Sequence, residues 1–101
     1  MGEEEKVACR TPAEGRDGVT NIPRWKYDAV RQAILATING TGSDGFPFKD
    51  LAAAVGTRLS EDERGRLGSL GWHTTVVKLN MEVDGEIARM AKATPQRLVL
   101  L

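Results

Sequence analysis

Apolar positions recur at helical spacing in two long stretches of the chain. Between Asn21 and Gly40, Tyr27, Val30, Ile34 and Ile38 stand three or four apart with Leu35 beside them, which predicts a helix with one apolar stripe. Thr20 or Asn21 is placed to cap it. Pro23 suits its first turn because the missing N–H would be unpaired there, and Asn39-Gly40 predicts a left-handed stop. The second stretch runs from Trp72 to Asp84. Trp72, Val76, Leu79 and Val83 fall within one narrow arc of a helix, so they are the expected core face, packed on the Tyr27–Ile38 row. Gly85 follows where a C-terminal cap glycine belongs.

The segments between and after these helices have their own signals. "FPF" at 46–48 is expected to be extended, because a residue before proline avoids helical angles. "KDLAAAVGTRL" resumes helical spacing through Leu51, Ala52, Val55 and Leu59. Ser60 and Glu63 form the S-x-x-E pattern of a capping box and predict a further short helical turn. Gly65, Gly68 and Gly71 predict a loosened turn ahead of Trp72. Beyond Gly85, Glu86–Ala91 and Arg97–Leu101 read as two short strands joined through "KATPQ", a hairpin. Residues 1–21 hold glycine, proline and many charges, which predicts a flexible N-terminal arm with a short strand around Lys6–Arg10. The folded domain is then expected over 22–101.

Size and composition narrow the picture. A chain of 101 residues is one domain by ordinary scaling, and 41% hydrophobic with 28% charged residues is the balance of a soluble globular protein. Cys9 is the single cysteine, which excludes an intramolecular disulfide and points to a reducing, cytoplasmic setting. No apolar run approaches the ~20 residues that cross a bilayer, and "MGEEEKVACR" lacks the basic start and apolar centre of a signal peptide. Lys6 stands where a myristoylation signal needs Ser or Thr. Lysine plus arginine number 14, as do aspartate plus glutamate, so the net charge is zero and general attraction to phosphate is weak.

The order helix, extended segment, helix, turn, helix, hairpin, over residues 23–101, resembles a winged helix-turn-helix domain. Its fold class would be α+β, mainly α, with a three-helix core and a C-terminal β-hairpin wing. "GWHTTVVKLNMEVDGEIAR" is similar to a recognition helix running into a first wing strand, as is the rhythm of Leu79, Gly85, Ile87 and Arg89. The chain also resembles a family of small bacterial proteins of unknown function, in "KY.A…AIL" from Lys26 to Leu35 and "GW…TV" from Gly71 to Val76. The winged-helix resemblance implies that Phe48–Val55 is the second helix and that the helix over 72–84 would lie in a major groove. The wing at 86–101 would approach phosphates through its tip, Lys92–Gln96. The long, glycine-bearing connection between helices two and three departs from that pattern.

Opposite the Trp72 arc stand Thr74, Lys78 and Met81, with His73, Thr75, Val77 and Glu82 on the shoulders. Thr74, Thr75 and Lys78 are candidate DNA contacts, with Arg89, Lys92 and Arg97 as further cations along the wing. Glu82 and Asp84 would repel phosphate, and Val77 with Met81 would suit a protein contact better than solvent. Two functions therefore stand: a DNA-binding regulator, expected as a dimer because one small module seldom binds tightly, or a non-enzymatic protein–protein adaptor on the same fold.

No catalytic constellation is legible, so no enzyme activity, metal or cofactor is expected. His73, the single histidine, lacks a second histidine or nearby cysteine for zinc and a nucleophile to activate, and is expected to pack beside Trp72. "GTGSDG" has the glycines of a phosphate loop but no Gly-Lys-Ser/Thr after them. The acidic "EEE" reads as a solvated arm. Trp25 and Trp72 read as core or interface anchors, each beside an apolar row.

Overall fold

The computed structural model describes residues 5–10 and 19–101. Helix α1, Arg24–Asn39, buries Tyr27, Val30, Ala33, Ile34, Thr37 and Ile38, the stripe its sequence spacing predicts. Its start is different from expectation. Thr20–Pro23 is a strand, β2, paired antiparallel with β1, Lys6–Cys9, in the register Val7 to Ile22. Pro23 sits in an extended conformation at ψ 139°, and the Arg24 N–H donates to the Glu5 carbonyl at 2.8 Å with no side-chain cap. A neighbouring strand thus supplies the acceptor that a Thr or Asn cap would have offered. At the other end Gly40 is right-handed at φ −84°, and Thr41 closes the helix by donating from both N–H and Oγ1 to the Ile38 carbonyl. The left-handed turn comes two residues after Gly40, at Gly42.

The β1–β2 ribbon lies on the helices. Cys9 and Ile22 are core residues, and the Arg10 N–H donates to Asn80 Oδ1 at 2.9 Å. Residues 5–10 and 19–21 of the expected arm therefore belong to the packed body. The rest of that arm, 1–4 and 11–18, lies outside the described residues, and with it most of the acidic run.

After a 3₁₀ turn at Gly42–Asp44, β3 (Phe46–Pro47) and a second such turn at Phe48–Asp50 lead into α2, Leu51–Arg58. The expected capping box is present: Ser60 Oγ accepts from the Glu63 N–H at 3.0 Å while Glu63 Oε1 accepts from the Ser60 N–H at 2.9 Å. It opens α3, Glu61–Leu67, where the sequence predicted only a turn. The glycine-rich stretch tightens into a short link, since Ser69 caps α4, Leu70–Val83, by accepting from the Trp72 N–H. Gly56 lets α2 approach α4, because a Cβ there would lie 2.9 Å from Leu70 Cδ2. Gly85, at φ 79°, ends α4 as expected. Its N–H donates to the Glu82 carbonyl and the Glu86 N–H to that of Met81, the paired bonds of a Schellman stop.

The rotation of α4 overturns the expected core face. Val77 and Met81 are fully buried, with Thr74, Lys78, Asn80 and His73 beside them. Trp72 is 48% and Val83 39% exposed, and Val76 and Leu79 are half-buried. The helix is turned by roughly half a revolution from the arc that hydrophobicity selects. The reason lies in partners that spacing cannot reveal: three of the four polar side chains turned inward find a charge or hydrogen-bond partner, so burying them is affordable.

The C-terminal hairpin forms as predicted, β4 (Ile87–Arg89) against β5 (Arg97–Leu100). β5 also pairs with β3, Phe46 opposite Leu98, giving a three-stranded antiparallel sheet in the order β3-β5-β4. Leu98 and Ile87 point into the core beneath α1 and α4. The fold is α+β and mainly helical. Among the described residues no helix is long and apolar enough to cross a membrane.

Candidate functional site

The six residues expected to meet DNA are not brought to one surface. Thr74 and Lys78 are 1% and 2% exposed, on the inner side of α4. Lys78 Nζ lies 2.5 Å from Glu82 Oε2 and 4.6 Å from the centre of the Phe48 ring. Burial lowers the pKa of this ammonium, and the Glu82 contact opposes that shift. Arg89 is exposed on β4 but spends Nε on Glu82 Oε1 at 3.2 Å. Arg97 donates from Nε to the Asp44 carbonyl at 2.8 Å and from Nη2 to that of Gly45 at 3.2 Å, which ties β5 to the loop before β3. Thr75 is half-buried on the flank of α4. Lys92 alone of the six stands exposed with no ion pair or hydrogen bond to its side chain among the described residues, at φ 64° on the wing loop that also holds the cis Thr94–Pro95 bond.

His73 packs beside Trp72 as its sequence position suggests, the rings edge to face with centroids 4.8 Å apart. Its Nδ1 lies 2.7 Å from the Ser69 carbonyl. A carbonyl only accepts, so Nδ1 carries the proton in that bond.

Three features escaped the sequence reading. One is the polar interior: Tyr27 Oη accepts from Asn80 Nδ2 at 2.8 Å, and Arg31 holds Glu86 with Nη2 2.6 Å from Oε1. These groups border an open pocket of about 360 Å³ under the β1–β2 ribbon, with Arg10, Arg24 and Asp84 on its walls. The second is Cys9, whose thiol is pushed up to about 11 by burial first and by Asp84 second. No sequence signal marks either, since each partner lies far along the chain. The third is the outward face of α4. Along it Trp72 and Val83 are exposed and Leu79 half-buried, while Val76 at its edge packs partly against the core; these are the residues that spacing picks out as the core face. Trp25 is half-buried, with the Arg66 guanidinium 4.9 Å above its ring.

These elements define a small, mainly helical α+β domain with a paired polar interior and an apolar outer helix. It belongs to the DUF6958 family, a family of unknown function, whose model matches residues 6–98. Neither curated proteins nor solved structures give a match.

Proposed function

We propose that the chain is a winged-helix domain that acts as a non-enzymatic protein-interaction module through the outward face of α4. The winged-helix reading is supported by the order of elements: a short strand before α2 pairs with the last strand, and that strand is central between β3 and the first strand of the hairpin. The observation that carries the interaction reading is the apolar outer side of the helix that would otherwise face a groove, where Trp72 and Val83 are exposed and Leu79 is half-buried between them. Apolar surface of this kind is costly to leave wet and offers nothing to phosphate.

A second reading, DNA binding, draws on the same element order and on the exposed Lys92 at the wing tip. Against it stand Lys78 inside the protein, Arg97 bonded to two carbonyls, Arg89 paired with Glu82, and a net charge of zero.

A titration of mixed-sequence duplex DNA, repeated across salt concentrations, separates the two. Each phosphate neutralised contributes a slope of about −0.9 in log affinity against log salt, and four free cations would give a slope steeper than about −3. The interaction reading expects binding that is absent or weak, with a slope nearer −1. Tight binding with the steep slope, losing about one unit of slope in Lys92→Ala, would replace it by the DNA reading.

A further inference from the structure

We propose that the pocket under the β1–β2 ribbon binds a free α-amino acid by its head group, the ammonium on Asp84 and the carboxylate on Arg10 and the Tyr27 hydroxyl; this goes beyond the interaction reading and does not depend on it. The first argument is the charge of the lining. Arg10, Arg24 and Arg31 are matched there by Asp28, Asp84 and Glu86, so the pocket is neutral overall. A ligand of one sign meets as much repulsion as attraction, whereas a zwitterion meets a partner at each end. Four of the six charges are engaged. Arg31 closes on Glu86 with two nitrogens, and Arg24 lies between Glu5 and Asp28 at 3.1 and 3.8 Å. Arg10 and Asp84 remain: they line the same cavity of about 360 Å³, and neither side chain has an ion pair among the described residues.

The floor of the pocket supplies the second argument. Tyr27 and Asn80 are 6% and 5% exposed, and both border the cavity. Asn80 is fully used, since Oδ1 accepts from the Arg10 N–H while Nδ2 donates to Tyr27 Oη and Asp84 Oδ2. Tyr27 Oη only accepts there. Its own proton has no acceptor among the described residues and is available to a ligand oxygen. Asp84 takes one hydrogen bond, at 3.3 Å, at the C-terminal end of a helix whose last turn has no basic residue. The helix dipole therefore adds to its attraction for a cation. One Asn80 nitrogen reaches both Tyr27 Oη and Asp84 Oδ2, so these two stand at most about 6 Å apart. The ammonium and carboxylate of an α-amino acid hang on a single carbon and fit that gap, while a longer chain between the charges has to fold back. Val7 and Ala8 are the small apolar residues of the lining, so the site holds the head group more closely than the side chain.

Nuclear magnetic resonance of the intact chain tests this, following the Asn80 side-chain amide and the Arg10 backbone amide. Glycine, alanine and each other standard amino acid are added in turn up to millimolar concentration, and saturable shifts are expected. Acetate, methylammonium and a six-carbon ω-amino acid, at the same ionic strength, should bind at least about tenfold more weakly, because each loses a charge-assisted hydrogen bond or its spacing. Tyr27→Phe, Asp84→Asn and Arg10→Gln should each weaken amino-acid binding by a similar factor. Arg10 and Asp84 are exposed, so their variants keep the fold; should Tyr27→Phe fail to fold by circular dichroism, the other two decide. No saturable shift with any amino acid overturns the proposal. So does acetate or methylammonium binding as tightly as the amino acid, or binding that Asp84→Asn and Arg10→Gln leave unchanged. None of these groups lies in the Trp72–Val83 row, so the interaction reading stands or falls separately, on the duplex titration.

Discussion

Lys78 and Glu82 face each other one helical turn apart inside the domain, Nζ 2.5 Å from Oε2, their side chains 3% and 9% exposed. Glu82 also holds Arg89, and the ammonium has the Phe48 ring beneath it. The two ends of the pair are therefore unequal. Removing Glu82 strands a buried ammonium, whereas removing Lys78 leaves the carboxylate with Arg89. Glu82→Ala is expected to cost about 3–5 kcal/mol and Lys78→Met clearly less. The double variant Lys78→Met with Glu82→Leu should recover most of the loss, because an apolar pair of similar volume needs no partner. Urea denaturation of the three variants checks this order; equal costs for the two single changes would contradict it.

The rotation of α4 gives a second, sharper contrast. Met81 is fully buried among the core residues, while Leu79 on the opposite side is only half-buried. Met81→Ala should cost about 2–5 kcal/mol, and Leu79→Ala less than about 1 kcal/mol in the monomer. Melting at low concentration, where association does not contribute, reads the difference. The reverse order would restore the core face that hydrophobic spacing alone selects.

That reversal shows where sequence reading stops. Helix α1 was legible because its row, Tyr27 to Ile38, is apolar on one side and has no rival on the other. The capping box and the Gly85 stop were legible because each is a local device, complete within a few residues. α4 was legible as a helix but not in its facing, since it has two competing sides. One is wholly apolar, and the other mixes Val77 and Met81 with Lys78, Asn80, Thr74 and His73. The mixed side wins because Tyr27 and Glu82, with the Ser69 carbonyl, meet the polar groups there, and Tyr27 lies on another helix. The ribbon was half legible: Lys6–Cys9 has strand character, but its partner at Thr20–Pro23 reads locally as a helix start.

Thr74 is the exception within that mixed side. Its residue is 1% exposed, and Oγ1 has no hydrogen-bond partner among the described residues. A buried, unpaired hydroxyl costs about 1–3 kcal/mol of desolvation with nothing returned. Thr74→Val keeps the shape and the β-branch and removes that cost, so it should be neutral or stabilising by up to about 1 kcal/mol. A loss of stability on thermal melting would mean that the hydroxyl is paired in solution.

Cys9 yields the pH prediction. Its thiol is buried at the end of β1 near Asp84, and both influences move its pKa up from the ordinary 9.0 to about 11, burial the more. Above pH 9 the unfolded chain ionises this thiol while the folded chain keeps the proton. The folded state then binds more protons than the unfolded one, so stability falls as pH rises between about 9 and about 11. Other groups titrate in the same range: Tyr27 is raised from 10.0, which also favours unfolding at high pH, and Lys78 is lowered from 10.5, which does the opposite. Comparison with Cys9→Ala isolates the thiol, since these groups are common to both proteins. The advantage of the wild type over Cys9→Ala in urea denaturation should be constant below pH 9 and shrink steadily toward pH 11. The same burial should make the native thiol react with an aromatic disulfide only as fast as the ribbon opens, and at full speed in denaturant. A stability difference that stays flat across this range, with a thiol that reacts at once in the native protein, would place Cys9 at the surface.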